Sequence, residues 1–258
     1  MNALQIAATG MLAQQYSTEV VANNLANMNT SGYQRRRAEF ADLIYNVQER
    51  APSSGSRAGN LVPGNVESGH GVRLGSIYRI SEQGSLTQTS NTFDVAIQGN
   101  GYFQVSLPNG DIAYTRDGSF QLDGTGQLVT ENGLFLQPGI IVPQGAIEVT
   151  INPSGEVLVT NDLGEEPVNV GTISLANFLN EGGLKAFGYN LFIATEASGD
   201  AIIDKPLSTG FGALTQGFLE ASNVDPISEI AALIKAQRAY EMNSKVVQTV
   251  DQMMGPAR

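Results

Sequence analysis

The sequence predicts an α+β fold. An N-terminal and a C-terminal helix pair in a coiled-coil-like domain, and between them lies an antiparallel β-rich middle of barrel or sandwich type. Three observations predict it. Residues 1–30 and 224–254 carry apolar side chains at helical spacing, whereas residues from about 74 to 222 alternate and are punctuated by glycine. The 258 residues include 29 Gly and only 15% charged side chains, as suits a turn-rich β-protein. The net charge of -11 is unevenly placed: residues 1–50 and 224–258 each balance four basic against four acidic side chains, and residues 51–223 hold six basic and seventeen acidic. Neutral ends can stack in many copies without accumulating repulsion, and an acidic middle argues against nucleic acid as a partner.

The first element is a helix over residues 1–30. Leu4, Ala8, Met11, Gln15, Thr18, Ala22, Leu25 and Met28 alternate spacings of four and three, the period of a coiled-coil seam. Ala8, Gln15 and Ala22 make that seam small or polar, so the helix buries little alone and is marginal as an isolated monomer. Asn27-Met28-Asn29-Thr30-Ser31-Gly32 stops it, because Asn and Gly tolerate the left-handed backbone of a helix end. Residues 31–73 form a connector, and its stretch 51–71 is rich in Pro, Ser and Gly and therefore extended or mobile on its own.

From 74 to 223 the strand signals are dense. Phe93–Gln98 and Tyr102–Leu107 flank Gly99-Asn100-Gly101, which reads as a hairpin turn. Asn109-Gly110, Asp117-Gly118, Asp123-Gly124, Asn132-Gly133 and Ser154-Gly155 mark further turns. The last element, residues 224–258, starts on Asp225-Pro226, an N-cap residue followed by proline at the first helical position. Ile230, Leu233, Gln237, Tyr240, Ser244, Val247 and Met254 carry its seam, widened by Ile227, Ile234 and Val250.

Catalytic and metal chemistry find few parts. There is no Cys and one histidine, His70, set between two glycines in the connector and read as an ordinary exposed residue. No catalytic, cofactor-binding or metal residue is assigned. An enzyme working on glycans through Asp117 and Glu131, and a secreted β-rich binding module, are the alternatives of other classes. No apolar run reaches the ~18–20 residues of a membrane span, and the N-terminal residues lack the pattern of a cleaved secretory signal. Arg35-Arg36-Arg37, with Glu39 and Asp42 close by, reads as a source of inter-subunit ion pairs or bonds to backbone carbonyls. Three asparagines at the end of the first helix, Asn23, Asn24 and Asn27, are poor helix formers and point to specific amide partners at a helix junction, with capping alone as the other account of Asn27 and of Asn29. Polar Gln237, Arg238, Asn243 and Ser244 inside the C-terminal stripe would set register and partner choice. The assembly candidates are Leu4, Met11, Asn23, Asn24, Leu25, Asn27, Gly32, Tyr33, Arg35 and Arg36 at one end. At the other they are Ile230, Leu233, Gln237, Arg238, Tyr240, Asn243 and Val247.

These segments resemble the rod, hook and filament-axis family of the bacterial flagellum over essentially the whole chain. Ala22-Asn23-Asn24-Leu25-Ala26-Asn27 with Thr30-Ser31-Gly32-Tyr33 is similar to its N-terminal signature, and Gln237 to Lys245 with Asp251-Gln252-Met253-Met254 to its C-terminal one. Asp94 to Phe103, Tyr114 to Phe120 and Gly217 to Val224 resemble middle-domain motifs of its distal rod member, with a proximal rod protein of similar length as the near alternative. Gly255-Pro256-Ala257-Arg258 departs from the apolar helical ending of the family. The resemblance implies a structural, non-enzymatic subunit of the basal-body rod in the periplasm, exported without a cleaved signal and polymerised helically. The implied partners are further copies of itself, proximal rod and hook proteins, a rod cap, the surrounding peptidoglycan and outer-membrane rings, and the export apparatus. The two ends would form an axial domain lining the export channel, with the middle facing outward.

Overall fold

A computed structural model describes residues 2–49, 66–161 and 166–254. Two helices flank a β-rich antiparallel middle. Helix α1 spans Asn2–Ala26 and helix α2 spans Pro226–Met254, so the proline predicted to open the last helix does so. The chain divides into two compact units: residues 1–25, 36–78 and 226–258, and residues 26–35 and 79–225.

In the first unit α1 and α2 run side by side in opposite directions, with Gly10 against Asn243 and Asn24 against Glu229. The buried side chains are Ala7, Ala13, Val20, Val21 and Asn24 on α1, and Glu229 and Ala236 on α2. This face is rotated from the predicted seam. Ala8, Gln15, Ala22 and Met28 are exposed and Leu4, Met11, Thr18 and Leu25 are half-buried. The physical reason is close approach: a Cβ on Gly10 would lie 2.8 Å from Asn243 Nδ2. Small residues therefore meet at the contact, and the larger apolar ones are left outside it. Part of the connector is ordered as strands. Arg36–Asp42 pairs with Val72–Arg79, and Tyr45–Glu49 pairs with Val66–Gly69 from Tyr45 opposite Gly69. Gly71, at φ 106°, passes so close to Thr9 that any side chain there would run into its hydroxyl, which accepts the Val72 N–H at 3.3 Å. His70 is half-buried rather than exposed, and its Nδ1 lies 3.0 Å from the Ile44 carbonyl oxygen, so that nitrogen carries the hydrogen. The predicted mobile stretch falls largely at residues 50–65, outside the described residues.

The second unit is built on an open antiparallel sheet. Its path runs from Lys185–Gly188 through Leu191–Ile193, Ile112–Thr115, Tyr102–Ser106, Phe135–Gln137 and Leu128–Thr130 to Phe120–Leu122. Leu175–Asn177 joins it beside Tyr102–Ser106 and pairs outward with Ile202–Asp204. A three-stranded sheet, Glu148–Ile151, Glu156–Thr160 and Val168–Thr172, contributes Val149, Ile151, Val157 and Val159 to the same core as Phe103, Phe120 and Leu136. A barrel is not formed among the described residues. Among the described residues its two end strands, Lys185–Gly188 and Phe120–Leu122, do not pair with each other, and Lys185–Gly188 meets Leu191–Ile193 with a register shift between Ala186 and Gly188. A second cluster sets Tyr102 and Tyr114 edge to face against Phe178, Tyr114 at 4.8 Å between ring centres, with Phe192 edge to face on Tyr102.

Gly99-Asn100-Gly101 is not a hairpin turn, contrary to its reading in the sequence. Val95–Gln98 pairs with Ala213–Gln216, far away in the chain, while Tyr102–Ser106 pairs with Ile112–Thr115. The glycines carry the chain from one sheet to the other, and both of their carbonyls are occupied by Arg116. Asn109-Gly110, Asn132-Gly133 and Ser154-Gly155 do join paired strands.

Candidate functional site

The polar centre of the helix pair is Asn24. Its Nδ2 donates to the Arg36 carbonyl at 2.8 Å and to Glu229 Oε2 at 3.2 Å, and its Oδ1 accepts the Arg36 N–H at 2.9 Å. The amide thus behaves like one more residue of a β-ladder at the start of the Arg36–Asp42 strand, while its spare hydrogen meets a carboxylate in the first turn of α2. Glu229 sits where a negative charge suits the helix dipole. A buried amide with every group engaged accounts for an asparagine at a position where helix propensity disfavours it.

The remaining candidates in this unit divide into a half-buried set and an exposed one. Leu4, Met11, Leu25, Arg36, Leu233, Asn243 and Val247 are half-buried, and Asn23, Gln237 and Arg238 are exposed. Ile230 is 46% exposed and Tyr240 45%. Larger apolar side chains stand further out still, with Leu12 at 55% and Met242 at 62%. Six residues, Gln15, Thr18, Glu19, Gln237, Tyr240 and Glu241, line a cleft of about 380 Å³ in the crease between the helices.

The other four candidates lie in the second unit, where residues 26–35 are fastened by backbone bonds. Thr30 Oγ1 donates to Asn27 Oδ1 at 3.3 Å inside the turn. Gly32, at φ 66°, donates its N–H to the Glu220 carbonyl at 2.8 Å, and a Cβ there would lie 2.8 Å from the Arg116 carbonyl carbon and the Asp117 nitrogen. Both the conformation and the space require glycine. Tyr33 is buried, and its carbonyl accepts the Asn223 N–H at 3.4 Å. Asn223 Oδ1 accepts the Arg35 N–H at 2.7 Å, and its Nδ2 donates to the carbonyls of Ile80 and Glu82. The half-buried Arg35 side chain reaches the exposed Glu82 of the same chain at 3.8 Å, a long, solvent-screened pair of small energetic weight.

Beneath this segment lies a group that sequence reasoning missed. Arg116 Nε and Glu220 Oε2 form a 2.9 Å ion pair with side chains only 5% and 4% exposed. Arg116 Nη1 also donates to the carbonyls of Gly99 at 2.9 Å and Gly101 at 2.7 Å, and Glu220 Oε1 accepts the Gly84 N–H at 3.0 Å. Both Glu220 oxygens and the Nε and Nη1 of Arg116 are thus engaged, and such added bonds are what make a buried charge pair tolerable. The available signal was that Arg116, Glu220 and Asn223 each stand in a family-like segment, yet nothing in the sequence pairs residues 104 positions apart. Nearby, burial raises the phenol of Tyr102 to a pKa of about 12, helped by Glu181, whose carboxylate accepts its hydroxyl at 3.0 Å.

Asp117 fastens a turn: its Oδ1 accepts both the N–H and the hydroxyl of Ser119. Burial pushes its carboxyl above the usual range, and Glu131 and Asp94 add repulsion. Among the described residues no three metal-ligating side chains gather.

A helix pair with its large apolar side chains turned outward, and a β-rich unit locked by buried polar bonds, define a structural subunit. Three family models match the chain: the flagella basal body rod protein model at residues 4–34, the flagellar hook protein FlgE/F/G D1 domain at 96–159 and the flagellar basal body rod FlgEFG protein C-terminal model at 215–257. The flagellar basal-body rod protein FlgG of Caulobacter vibrioides is 57% identical over 254 residues, covering 98% of this chain and 97% of its own. That of Borreliella burgdorferi is 46% identical over 259 residues, covering 100% and 97%. The rod protein FlgF of Caulobacter vibrioides is 31% identical over 249 residues, covering 95% and 92%. The chain belongs to the flagellar basal-body rod family and is a structural rod subunit of the flagellar basal body. Within that family its likeness is to the distal rod protein FlgG.

Proposed function

We propose that this subunit polymerises helically into the distal rod, a tube that encloses the export channel and transmits torque from motor to hook. Residues 1–30 and 224–258 then form the axial domain as a coiled-coil-like pair, residues 31–73 the connector, and residues 74–223 a sandwich-like outer domain. The observation that carries the reading is the outward face of the helix pair. Contact through Ala7, Ala13 and Ala236 buries little area, and Leu12, Ile230, Ile234 and Met242 stay exposed. Further copies would cover them, so that ordering of the ends is coupled to association. The subunit travels through the export apparatus without a cleaved signal, crosses the periplasm inside the surrounding rings, and meets proximal rod, rod cap and hook proteins. The connector orders between neighbouring copies and stiffens the tube, since a free Gly/Ser segment cannot transmit torque.

Electron micrographs of basal bodies from a deletion strain test the assignment. Loss of the distal rod and hook with the proximal rod retained is the expected result, and an intact distal rod refutes it. Deleting residues 50–68 should lower rod straightness and bending stiffness; an unchanged rod would remove the role given to the connector.

A further inference from the structure

The β-rich unit carries two open sheet edges that complement each other. A row of six antiparallel strands runs from Lys185–Gly188 through Leu191–Ile193, Ile112–Thr115, Tyr102–Ser106 and Leu175–Asn177 to Ile202–Asp204. Both terminal strands are exposed along their length, and among the described residues neither pairs on its outer side. Phe187, Ile202 and Ile203 are each more than half exposed. Backbone groups and apolar side chains together at an open edge are a template for another strand.

Direction, face and charge select which strand. Six alternating strands leave the two ends running opposite ways, so a copy displaced along the row brings its Ile202–Asp204 antiparallel to Lys185–Gly188 of its neighbour. Ala186 is level with Gln104 through Phe192 and Tyr114, and Ile203 is level with Tyr102 through Ala176. Gln104 and Tyr102 are two residues apart and share a face, so Ala186 and Ile203 share it too. Setting those two opposite each other places Lys185 opposite Asp204 and Phe187 opposite Ile202. Among the described residues neither Lys185 nor Asp204 stands in an ion pair, and Asp204 Oδ1 accepts the Lys205 N–H at 2.7 Å. A lysine on an edge ordinarily deters pairing, and an aspartate opposite it turns the deterrent into selection. Two copies of the same edge would instead bring like charges together. The register shift in Lys185–Gly188 lies beyond Ala186, so Lys185 and Ala186 keep regular pairing.

We propose that Ile202–Asp204 of one copy adds as a strand to Lys185–Gly188 of a second copy, with Lys185 opposite Asp204, Ala186 opposite Ile203 and Phe187 opposite Ile202. The two edges differ, so the contact propagates instead of closing into a dimer. The register offsets successive copies by two residues along the strands, roughly 7 Å, and strand twist rotates each copy on the last, so the array is helical. The contact presupposes the polymer proposed above and adds a junction between β-rich units to the covering of the helix pair.

Cysteines at opposed positions test it, since the chain has none of its own. Directly opposed Cβ atoms lie about 4.5–5.5 Å apart, close enough for a disulfide after a small adjustment. Within one chain Ala186 and Ile203 are five strand spacings apart, about 24 Å, too far to bridge. Basal bodies built from a full chain carrying both Ala186→Cys and Ile203→Cys should give a ladder of disulfide-linked multimers on a non-reducing gel, and either substitution alone should give monomer. Lys185→Asp and Asp204→Lys should each raise the critical concentration for polymerisation by about fivefold, and both together should return it close to the wild-type value. A complete rod whose doubly substituted subunits stay monomeric on the gel, or single reversals without effect, overturns the contact and leaves the polymer standing. Should the cysteine chain build no rod, the reversals decide alone. A deletion strain that makes no rod when the wild-type chain is restored overturns the polymer and this contact with it.

Discussion

The two units of the chain bury different things. The β-rich unit encloses Tyr102, Phe103, Phe120, Leu136 and Ile140 almost completely and satisfies a charge pair in its interior. The helical unit encloses alanines, two valines, one amide and one carboxylate, and keeps Leu12, Ile230 and Met242 outside. A buried Phe or Leu contributes about 1.5–3 kcal/mol and an alanine much less, so the first kind of core holds itself together and the second needs help from elsewhere. The difference teaches where assembly would enter under the proposed function: the β-rich unit closes its own core, and the helix pair leaves apolar side chains for further copies to cover.

Perturbing the self-sufficient unit should give the largest effects. Arg116→Ala leaves Glu220 as a buried charge without its partner and should cost about 3–5 kcal/mol in urea denaturation of the β-rich unit. A loss below about 1 kcal/mol would show that water reaches the pair and that this interior is less closed than its burial indicates. Asn24→Ala removes the acceptor and donor for Arg36 and the amide beside Glu229, a loss of about 1–3 kcal/mol. It should appear as faster amide exchange in α1 and reduced polymer, with the melting of the β-rich unit unchanged; a shift of that melting would mean the two regions do not differ as described.

Tyr240→Ala should leave monomer stability within about 0.5 kcal/mol, as for an exposed residue, and still reduce assembly measured by sedimentation. Equal reduction of both would place Tyr240 in the fold instead of the contact. The smallest effect concerns Asp117. Its folded-state carboxyl titrates above the ordinary range, so the stability linked to its protonated form is present at low pH and lost as pH rises through the raised value. Asp117→Asn keeps an Oδ1 acceptor for Ser119 and removes the charge. It should raise the melting temperature by no more than about 2–4 °C near neutral pH and leave it unchanged at about pH 3. A gain at both would assign the effect to something other than ionisation.

The ends of the chain were legible because helix signals are local. Asp225-Pro226 starts α2 and Gly32 follows the end of α1 without reference to anything distant. Asn24 announced itself in the same way, as a residue whose propensity conflicts with its place. The face of α1 was misjudged by about one residue because a seam rule weights side-chain size, while the contact selects Gly10, Ala13 and Ala236 for close approach. Long-range pairings stayed hidden. The Val95–Gln98 strand looks as ready to pair with Tyr102–Ser106 as with Ala213–Gln216, and Arg116 and Glu220 carry no local mark of belonging together. Such choices are decided by what is buried jointly, which no single segment encodes.

Amide hydrogen exchange on the full chain, as monomer and as polymer, tests the central claim most directly. The account predicts that amides of α1 and α2 exchange readily in the monomer and become protected in the polymer, while those of Tyr102–Ser106 and Phe135–Gln137 are protected in both. Helix amides in a verified monomer as strongly protected as those strands would contradict it, because the helix pair would then be complete without its neighbours.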